Sequence, residues 1–287
     1  MTAISSASSA LCTLAIAAGA KILEIYEAEA VTAASKADGS PVTAADEAAE
    51  EVILAGLAKL FPGVPVVAEE AVEAGNLPVV QNRYFLVDPL DGTKEFISRN
   101  GQFTVNIALI EDGLPVFGVV YAPALDEIYW GGAFPAEMSD SQDAGAYQAD
   151  VLDGVLGAVR KIAVRPAPAS GLSVLASRSH LSAETAEFIE KFEVDEKLSV
   201  GSSLKLCWVA CGKADLYPRM APTMQWDIAA GDAVLRAAGG TVLEAETWTL
   251  RRYAVPEGAV KSDLLNPYFV AVSDVEILAA AGFPVAG

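Results

Sequence analysis

The sequence contains little histidine, little cysteine and little positive charge, and each scarcity excludes a class of function. One histidine, His180, and three cysteines, Cys12, Cys207 and Cys211, occur among 287 residues. A disulfide framework and a histidine-based zinc or iron site are therefore excluded, and a catalytic metal would need oxygen ligands. Cys207 and Cys211 lie four apart on an apolar helix, where we expect buried core thiols rather than a metal or redox pair.

Basic residues are half as many as acidic ones, 19 against 38, which gives a net charge of −19. Such a surface repels nucleic acid and anionic membranes, so neither is a predicted partner. We expect no apolar run to reach the length of a membrane span, and the N-terminus lacks the early basic region of a signal peptide. We therefore predict a cytoplasmic protein in which residues 11–26 form a core helix.

The segment at 88–93, Asp-Pro-Leu-Asp-Gly-Thr, places two carboxylates after an apolar strand predicted at 84–87. Pro89 is expected to end the strand, and Gly92 allows the backbone to turn. Oxygen ligands of this kind suit Mg²⁺, which commonly also binds substrate phosphates. The alternative is an Asx-type turn that caps the next segment.

Two distant segments place further acids at the end of a predicted strand and at the start of a predicted helix. Glu69 and Glu70 follow the apolar run 64–68, and Asp227 lies near the start of a strongly helical stretch. The helix dipole favours a carboxylate at that end, so an ordinary N-cap is the alternative for Asp227.

The three segments, in this order, resemble the Mg²⁺-dependent, lithium-sensitive inositol monophosphatase superfamily. Its pattern is a Glu-Glu pair, then Asp-Pro-(Ile/Leu)-Asp-Gly-Thr, then Trp-Asp-x-Ala-(Ala/Gly)-Gly, and all three parts are present. Lys94 stands where inositol phosphatases usually carry Asn. Together with segments 177–180, 201–205 and 216–219, it resembles the CysQ-type 3'(2'),5'-bisphosphate nucleotidases, which remove the 3'-phosphate of adenosine 3',5'-bisphosphate. The resemblance runs from about residue 36 to residue 269.

The resemblance implies two Mg²⁺ ions that share one carboxylate. Glu69, Asp88 and the Leu90 carbonyl are expected to bind one ion. Asp88, Asp91 and Asp227 are expected to bind the other. Whether the second Glu of the pair is also a ligand stays open.

The resemblance also implies how water and phosphate are held. The amides of Gly92 and Thr93 are expected to hold the scissile phosphate. Asp46, which otherwise belongs to an approximate capping box begun by Thr43, is expected to hydrogen-bond Thr93 and to help activate the attacking water. A polar loop with Lys36 and Asp38 resembles a mobile metal-site loop of the family, and solvated loop charges are the alternative.

The substrate contacts implied by the resemblance combine the metal-site residues with basic and hydroxyl side chains. They are Glu69, Leu90, Asp91, Gly92, Thr93, Lys94, Ser177, Arg178, His180, Ser203, Lys205, Arg219 and Asp227. Structural alternatives remain for three of them, because Ser203 and His180 could cap helices and Arg219 could pair with an acid.

The pattern of elements predicts an α+β first half, residues 1–160, and an α/β second half, residues 161–287. The resemblance implies a layered α-β-α-β-α sandwich in which the halves meet at the active site. Residues 136–158 are polar and are predicted to form a surface excursion. Strand and helix alternate from 172 to 243, which predicts an α/β unit.

The predicted function is the Mg²⁺-dependent removal of the 3'-phosphate from adenosine 3',5'-bisphosphate, a housekeeping reaction of sulfur metabolism. The partner is this small-molecule nucleotide bisphosphate, and the chain is a monomer or a homodimer. The resemblance leaves peripheral association with the inner membrane open. The alternatives are an inositol monophosphatase and a catalytically idle nucleotide- or metal-binding regulator.

Overall fold

Two large β-sheets carry the fold, and helices cover both faces of each. The computed structural model describes residues 6–27, 34–35, 41–42, 44–139, 144–176 and 182–285. A two-stranded ladder precedes the large sheets and consists of β1 (Ala34–Ser35) and β2 (Pro41–Val42). The first large sheet contains β3 (Val66–Ala68), β4 (Arg83–Asp91), β5 (Thr104–Glu111), β6 (Leu114–Ala122), β7 (Glu127–Gly132), β8 (Gly145–Leu152), β9 (Val155–Leu156) and β10 (Arg160–Ile162).

The second large sheet has five strands in the order β12-β11-β13-β15-β14. These strands are β11 (Leu172–Leu175), β12 (Val194–Leu198), β13 (Leu216–Arg219), β14 (Thr241–Glu244) and β15 (Phe269–Val272). Strand β11 is parallel to β12 and β13, whereas β15 is antiparallel to both of its neighbours. The predicted alternation of strand and helix is therefore correct up to β14, but strand β15 was not predicted and makes the sheet mixed.

Helices form three layers around the two sheets. They are α1 (Ser6–Tyr26), α2 (Ala44–Leu60), α3 (Glu69–Glu73), α4 (Thr93–Ile97), α5 (Ala183–Ile189), α6 (Leu204–Ala210), α7 (Gln225–Ala237) and α8 (Glu276–Ala280). One apolar cluster joins α1 and α2 to the first sheet, a second joins α6 and α7 to both sheets, and a third joins α5 and α8 to the second sheet. The α-β-α-β-α sandwich is thus confirmed.

Helix α7 is the central element, because it packs on strands β4 to β7 of the first sheet and on α6. Two strand glycines permit this close approach. A Cβ added to Gly118 would lie 2.4 Å from the carbonyl oxygen of Ala230, and one added to Gly131 would lie 2.9 Å from the Cα of Val234. The contact carries the N-terminal end of α7 towards the first sheet.

Gly118→Ala is expected to destabilise the protein by about 1–3 kcal/mol, because the new methyl group meets the backbone of α7 and cannot be accommodated by a rotamer change. Urea unfolding of the wild type and the variant measures this difference. Val79→Ala is a suitable control, since Val79 is 81% exposed and its truncation should change stability by less than about 0.5 kcal/mol. An equally stable Gly118→Ala protein would contradict the close packing described here.

Helix α1 corrects the expectation about apolar runs. Of the helices in the described part of the chain, it alone is long and apolar enough to cross a membrane by length and composition. In the structure it packs against α2 and β6, and Leu11, Ala15 and Ile22 are fully buried. The predicted role as a core helix is therefore confirmed, and the helix begins five residues earlier than predicted.

The expectation of a surface excursion at 136–158 was wrong. Strand β8 lies within this range and pairs with β7 and β10 inside the first sheet. Ala146 is buried on the face towards α7, and Tyr147 and Ala149 are buried on the opposite face, although the surrounding sequence is polar. The division of the chain into halves at residue 160 stays a prediction, since α7 of the second half packs on the sheet of the first.

Candidate active site

A bulge at the end of strand β4 brings two carboxylates to the same face. Asp88 pairs with Asn106 on β5 and Asp91 pairs with Thr104, so three steps along β4 correspond to two along β5. In a regular strand, residues three apart point to opposite faces, and one extra residue restores a common face. The expectation that β4 ends before Asp88 was therefore wrong, because the strand continues to Asp91 and Pro89 lies within the bulge.

Asp88 also forms the Asx-type turn that was the alternative interpretation of this segment. Its Oδ1 accepts a hydrogen bond of 3.0 Å from the N–H of Leu90, two residues further along the chain. This bond stabilises the bulge and leaves the second carboxylate oxygen available. The turn and the ligand interpretation are therefore compatible.

The turn after β4 is in close contact with a loop of the second half of the chain. Gly92 has φ of +97°, and a Cβ there would lie 2.1 Å from Oγ of Ser202. Ser202 itself adopts φ of +51° and donates a 2.8 Å hydrogen bond to the carbonyl oxygen of Asp91. Glycine is required at position 92 by its backbone conformation and by this approach.

Ser203 connects the acids of the two halves. Its hydroxyl lies 3.1 Å from Oδ2 of Asp91, also contacts the carbonyl oxygen of Asp227, and accepts a 2.9 Å hydrogen bond from Nδ2 of Asn106. It forms no capping hydrogen bond to α6, so the alternative role as a helix cap is not observed. The buried hydroxyl supports the acids, and its direct contact with substrate stays a prediction.

Glu69 is the first residue of α3, at the end of strand β3. The start of this helix is fixed by Glu50 of α2, whose carboxylate accepts hydrogen bonds of 2.9 and 2.8 Å from the N–H groups of Glu70 and Ala71. Glu50 was not identified from the sequence. Its helical spacing to the apolar residues Ile53 and Leu57 was the signal that could have found it.

Asp227 is the third residue of α7, as its predicted place near the helix start requires. Its Oδ2 accepts a 2.8 Å hydrogen bond from the N–H of Met224. The predicted alternative, a capping role, is therefore present. One carboxylate oxygen remains for another partner.

The acids on these separate elements share one electrostatic environment. Asp88 is 1% exposed, and burial raises its pKa well above the ordinary value, with further increases from the negative charges of Glu69, Asp91, Asp227 and Asp46. Burial followed by the charge of Asp91 raises the pKa of Asp227 to about 7. Clustered buried carboxylates with raised pKa values are typical of functional sites.

Three basic side chains act electrostatically on this cluster. Lys205 is 8% exposed, and burial lowers its pKa to about 8 against the opposing effect of Asp91. Its Nζ donates a 2.9 Å hydrogen bond to the carbonyl of Ser202. The charges of Arg219 and Lys261 both lower the pKa of Asp227.

Arg219 carries an unused donor. Its Nη2 donates a 3.2 Å hydrogen bond to the carbonyl of Pro222, whereas its buried Nε has no partner. Lys261, which the sequence analysis did not identify, forms an ion pair with Glu73 of α3. A buried N–H without an acceptor suits an anionic ligand, because the desolvated donor regains a hydrogen bond when the anion binds.

The donor set fits a hard cation. Within the described residues, no three Asp, Glu, His or Cys side chains already form a group that could hold a metal ion. Mg²⁺ does not need such a group, since it keeps several waters and uses one or two carboxylates with substrate phosphates. Oγ1 of Thr104 and Oδ1 of Asn106, opposite Asp91 and Asp88, are buried and without hydrogen-bond partners, which suits metal-bound water.

Several predicted residues cannot be placed. Lys36, Asp38, Ser177, Arg178 and His180 lie outside the described residues, as does Thr43.

Three further residues named in the sequence analysis lie in the described parts of the chain. Lys94 is exposed on α4. Cys207 is buried as predicted, whereas Cys211 is partly exposed.

Comparison with known proteins shows the family to which the chain belongs. The model of the inositol monophosphatase family matches residues 4–274, and the chain belongs to this family of metal-dependent phosphatases. The 3'(2'),5'-bisphosphate nucleotidase CysQ of Salmonella typhimurium is 44% identical over 260 residues, covering 90% of this chain and 96% of that protein. The CysQ nucleotidase of Escherichia coli strain K12 is 46% identical over 233 residues, covering 81% and 88%.

Solved structures show the same fold. The crystal structure of CysQ from Bacteroides thetaiotaomicron superposes with a TM-score of 0.71 at 40% identity, covering 93% of this chain and 97% of that chain. An inositol monophosphatase from Zymomonas mobilis gives a TM-score of 0.67 at 26% identity, covering 93% and 92%.

Proposed function

We propose that this protein is a 3'(2'),5'-bisphosphate nucleotidase that uses Mg²⁺ to hydrolyse adenosine 3',5'-bisphosphate to AMP and inorganic phosphate. The observation that carries the proposal is the association of clustered buried acids with one buried and one half-buried cation. Asp88 lies within the field of four other carboxylates, and Lys205 and Arg219 lie beside the same cluster. The nucleotidase relatives, identical at 44–46% of aligned positions, supply the substrate class.

The acids are proposed to hold the metal. Glu69, Asp88, Asp91 and Asp227, with the Leu90 carbonyl, provide only oxygen ligands, which suit Mg²⁺. Bound Mg²⁺ would supply charge neutralisation for the phosphate and would lower the pKa of an attacking water. In return, positive charge relieves the mutual repulsion that raises the pKa of Asp88.

The basic residues are proposed to bind the phosphate that is not cleaved. A protein with a net charge of −19 binds a polyanion only where local positive charge is concentrated. Lys205 and Arg219 supply such charge, and burial strengthens their interaction with an anion. An inositol monophosphate has a single phosphate and cannot use this second site.

The remaining assignments belong to the same proposal. The amides of Gly92 and Thr93 hold the scissile phosphate, and Thr93 with Asp46 positions the attacking water. A cytoplasmic location and inhibition by Li⁺ are expected from the family.

Phosphate release from a small panel of substrates tests the proposal. The panel contains adenosine 3',5'-bisphosphate, its sulfated analogue, inositol 1-phosphate and fructose 1,6-bisphosphate, each with Mg²⁺ and with EDTA. We expect turnover of the first two substrates to be fastest and to disappear in EDTA. Preference for inositol 1-phosphate would favour an inositol monophosphatase, and no turnover of any substrate would favour an idle regulator.

Arg219→Ala is expected to lower kcat/KM for adenosine 3',5'-bisphosphate by about ten- to a hundredfold. The variant loses a charge-assisted hydrogen bond, which is worth about 1.5–3 kcal/mol. Each 1.4 kcal/mol corresponds to roughly a tenfold change in kcat/KM. Inositol 1-phosphate should be hardly affected, because it has no second phosphate.

The ratio between the two substrates is the quantity to measure, since general damage to the fold cancels from it. Arg160→Ala is a matched control that removes an arginine paired with Asp150 at the edge of the first sheet. It should leave the ratio unchanged. Equal losses on both substrates in Arg219→Ala would mean that Arg219 has a structural role.

A further inference from the structure

Asn266, just before strand β15, uses its side chain and its backbone to hold the segment that precedes α7. It is 7% exposed. Nδ2 donates hydrogen bonds of 3.0 Å to Oγ1 of Thr223 and 2.5 Å to the carbonyl oxygen of Met224. Its backbone N–H donates a 2.8 Å bond to the carbonyl oxygen of Thr223. Residues 223 and 224 are therefore fixed by three hydrogen bonds from one residue.

The position of Asn266 is itself fixed by a buried arginine. Oδ1 accepts hydrogen bonds of 3.2 and 2.9 Å from Nε and Nη2 of Arg251, which is 5% exposed. Arg236 of α7 donates a 2.7 Å bond to the carbonyl oxygen of Arg251. Both the oxygen and the nitrogen of the Asn266 side-chain amide are therefore hydrogen-bonded. Arg251 donates to the oxygen and residues 223 and 224 accept from the nitrogen, which fixes the orientation of the amide.

The held segment leads directly to the acid of α7. The N–H of Met224, whose carbonyl binds Asn266, donates the 2.8 Å hydrogen bond to Oδ2 of Asp227. One residue, Met224, therefore separates the Asn266 amide from the Asp227 carboxylate in the chain of hydrogen bonds. A second support comes from Gln225, which exchanges hydrogen bonds of 2.8 and 3.2 Å with the backbone of Ala254.

We propose that Asn266 is a positioning residue for the metal site, which sets the direction of the Asp227 carboxylate through Thr223 and Met224. The inference rests on the proposed function, because it takes Asp227 as a metal ligand. A group that orients a metal ligand by hydrogen bonding strongly affects metal affinity. Its loss commonly weakens metal binding ten- to a hundredfold. A role limited to stability would instead leave metal affinity unchanged.

Calorimetric titration with Mg²⁺ in the absence of substrate tests the inference on the full chain. Asn266→Asp keeps an acceptor for Arg251 but loses both Nδ2 donors, and Asn266→Ala loses all side-chain contacts. We expect both variants to bind Mg²⁺ about ten- to a hundredfold more weakly than the wild type. The Mg²⁺ concentration for half-maximal kcat should rise by the same factor, and excess Mg²⁺ should restore most of kcat.

A destabilised control separates positioning from stability. Leu278→Ala truncates a fully buried residue of α8 in the third apolar cluster, which does not include α7. It should lower Tm and leave the Kd for Mg²⁺ unchanged. If Asn266→Ala does not fold, Thr223→Val removes one acceptor of the same amide and should weaken Mg²⁺ binding in the same direction.

The outcomes for the inference and for the proposed function are distinguishable. Wild-type affinity for Mg²⁺ in Asn266→Asp or in Thr223→Val would overturn the positioning role while leaving the nucleotidase proposal intact. A wild type that neither binds Mg²⁺ nor releases phosphate from adenosine 3',5'-bisphosphate would overturn the proposed function, and the positioning role with it.

Discussion

Replacing Asp227 by asparagine is expected to lower kcat/KM for adenosine 3',5'-bisphosphate by about a hundredfold or more while the protein stays folded. The asparagine oxygen can still accept the hydrogen bond from Met224, so the start of α7 is preserved. The negative charge that would bind the metal is lost. Asp91→Asn should behave in the same way, because Ser203 can also bond to an amide oxygen.

The same variant should not be destabilised in the absence of metal. Burial and the charge of Asp91 raise the pKa of Asp227 from its ordinary value of 3.8 to about 7 in the folded state. A carboxylate whose folded pKa is raised opposes folding once it ionises, so metal-free stability falls as pH rises from about 4 to about 7. Asparagine cannot ionise, and Asp227→Asn should be at least as stable as the metal-free wild type at pH 8.

Two measurements check this prediction, namely kinetics at saturating Mg²⁺ and thermal unfolding in EDTA. Asp263→Asn is a matched control, because Asp263 accepts a 2.9 Å hydrogen bond from the N–H of Val260 in the same i to i+3 arrangement. It should keep near-normal activity. A near-normal rate for Asp227→Asn, or for the wild type in EDTA, would show that these acids do not bind a catalytic metal.

The acids of the candidate site were identified from the sequence, but the geometry that joins them could not be predicted from it. Residues 88–93 indicated two carboxylates at a strand end, yet simple alternation places Asp88 and Asp91 on opposite faces. The bulge that corrects this is defined by pairing with Thr104 and Asn106 on another strand. Pairing register is a non-local property, which the local pattern does not contain.

Supporting residues were missed for a related reason. Asn106 interrupts an apolar strand and could have been noticed, since a lone amide in a buried run needs partners. Asn266 also has apolar neighbours, Leu265 and Pro267, but its role could not be predicted locally, because its partners lie 42 and 43 residues away. The strand at 145–152 was missed because the polar residues Gln148 and Asp150 interrupt its buried positions and the segment before it is polar.

Thr93→Ala and Asp46→Asn are each expected to lower kcat by about 10²–10⁴-fold, with a much smaller effect on KM. Asp46 is 2% exposed, and its charge contributes to the raised pKa of Asp88. Thr93 begins α4 directly after the turn that holds the scissile phosphate in the proposed mechanism. If the two residues position one water, loss of either removes the same contribution. The double variant should therefore be little slower than the slower single variant.

Asp46 also lies in the first turn of α2, where a carboxylate stabilises the helix through its dipole. Glu47→Gln is the matched control, since Glu47 belongs to the same turn but is exposed. It removes the same charge from the helix start and should leave kcat unchanged. Steady-state kinetics of the three single variants and the Thr93–Asp46 double variant decide the matter. A double loss equal to the product of the two single losses would show that Asp46 acts independently of Thr93, as a residue that only stabilises α2.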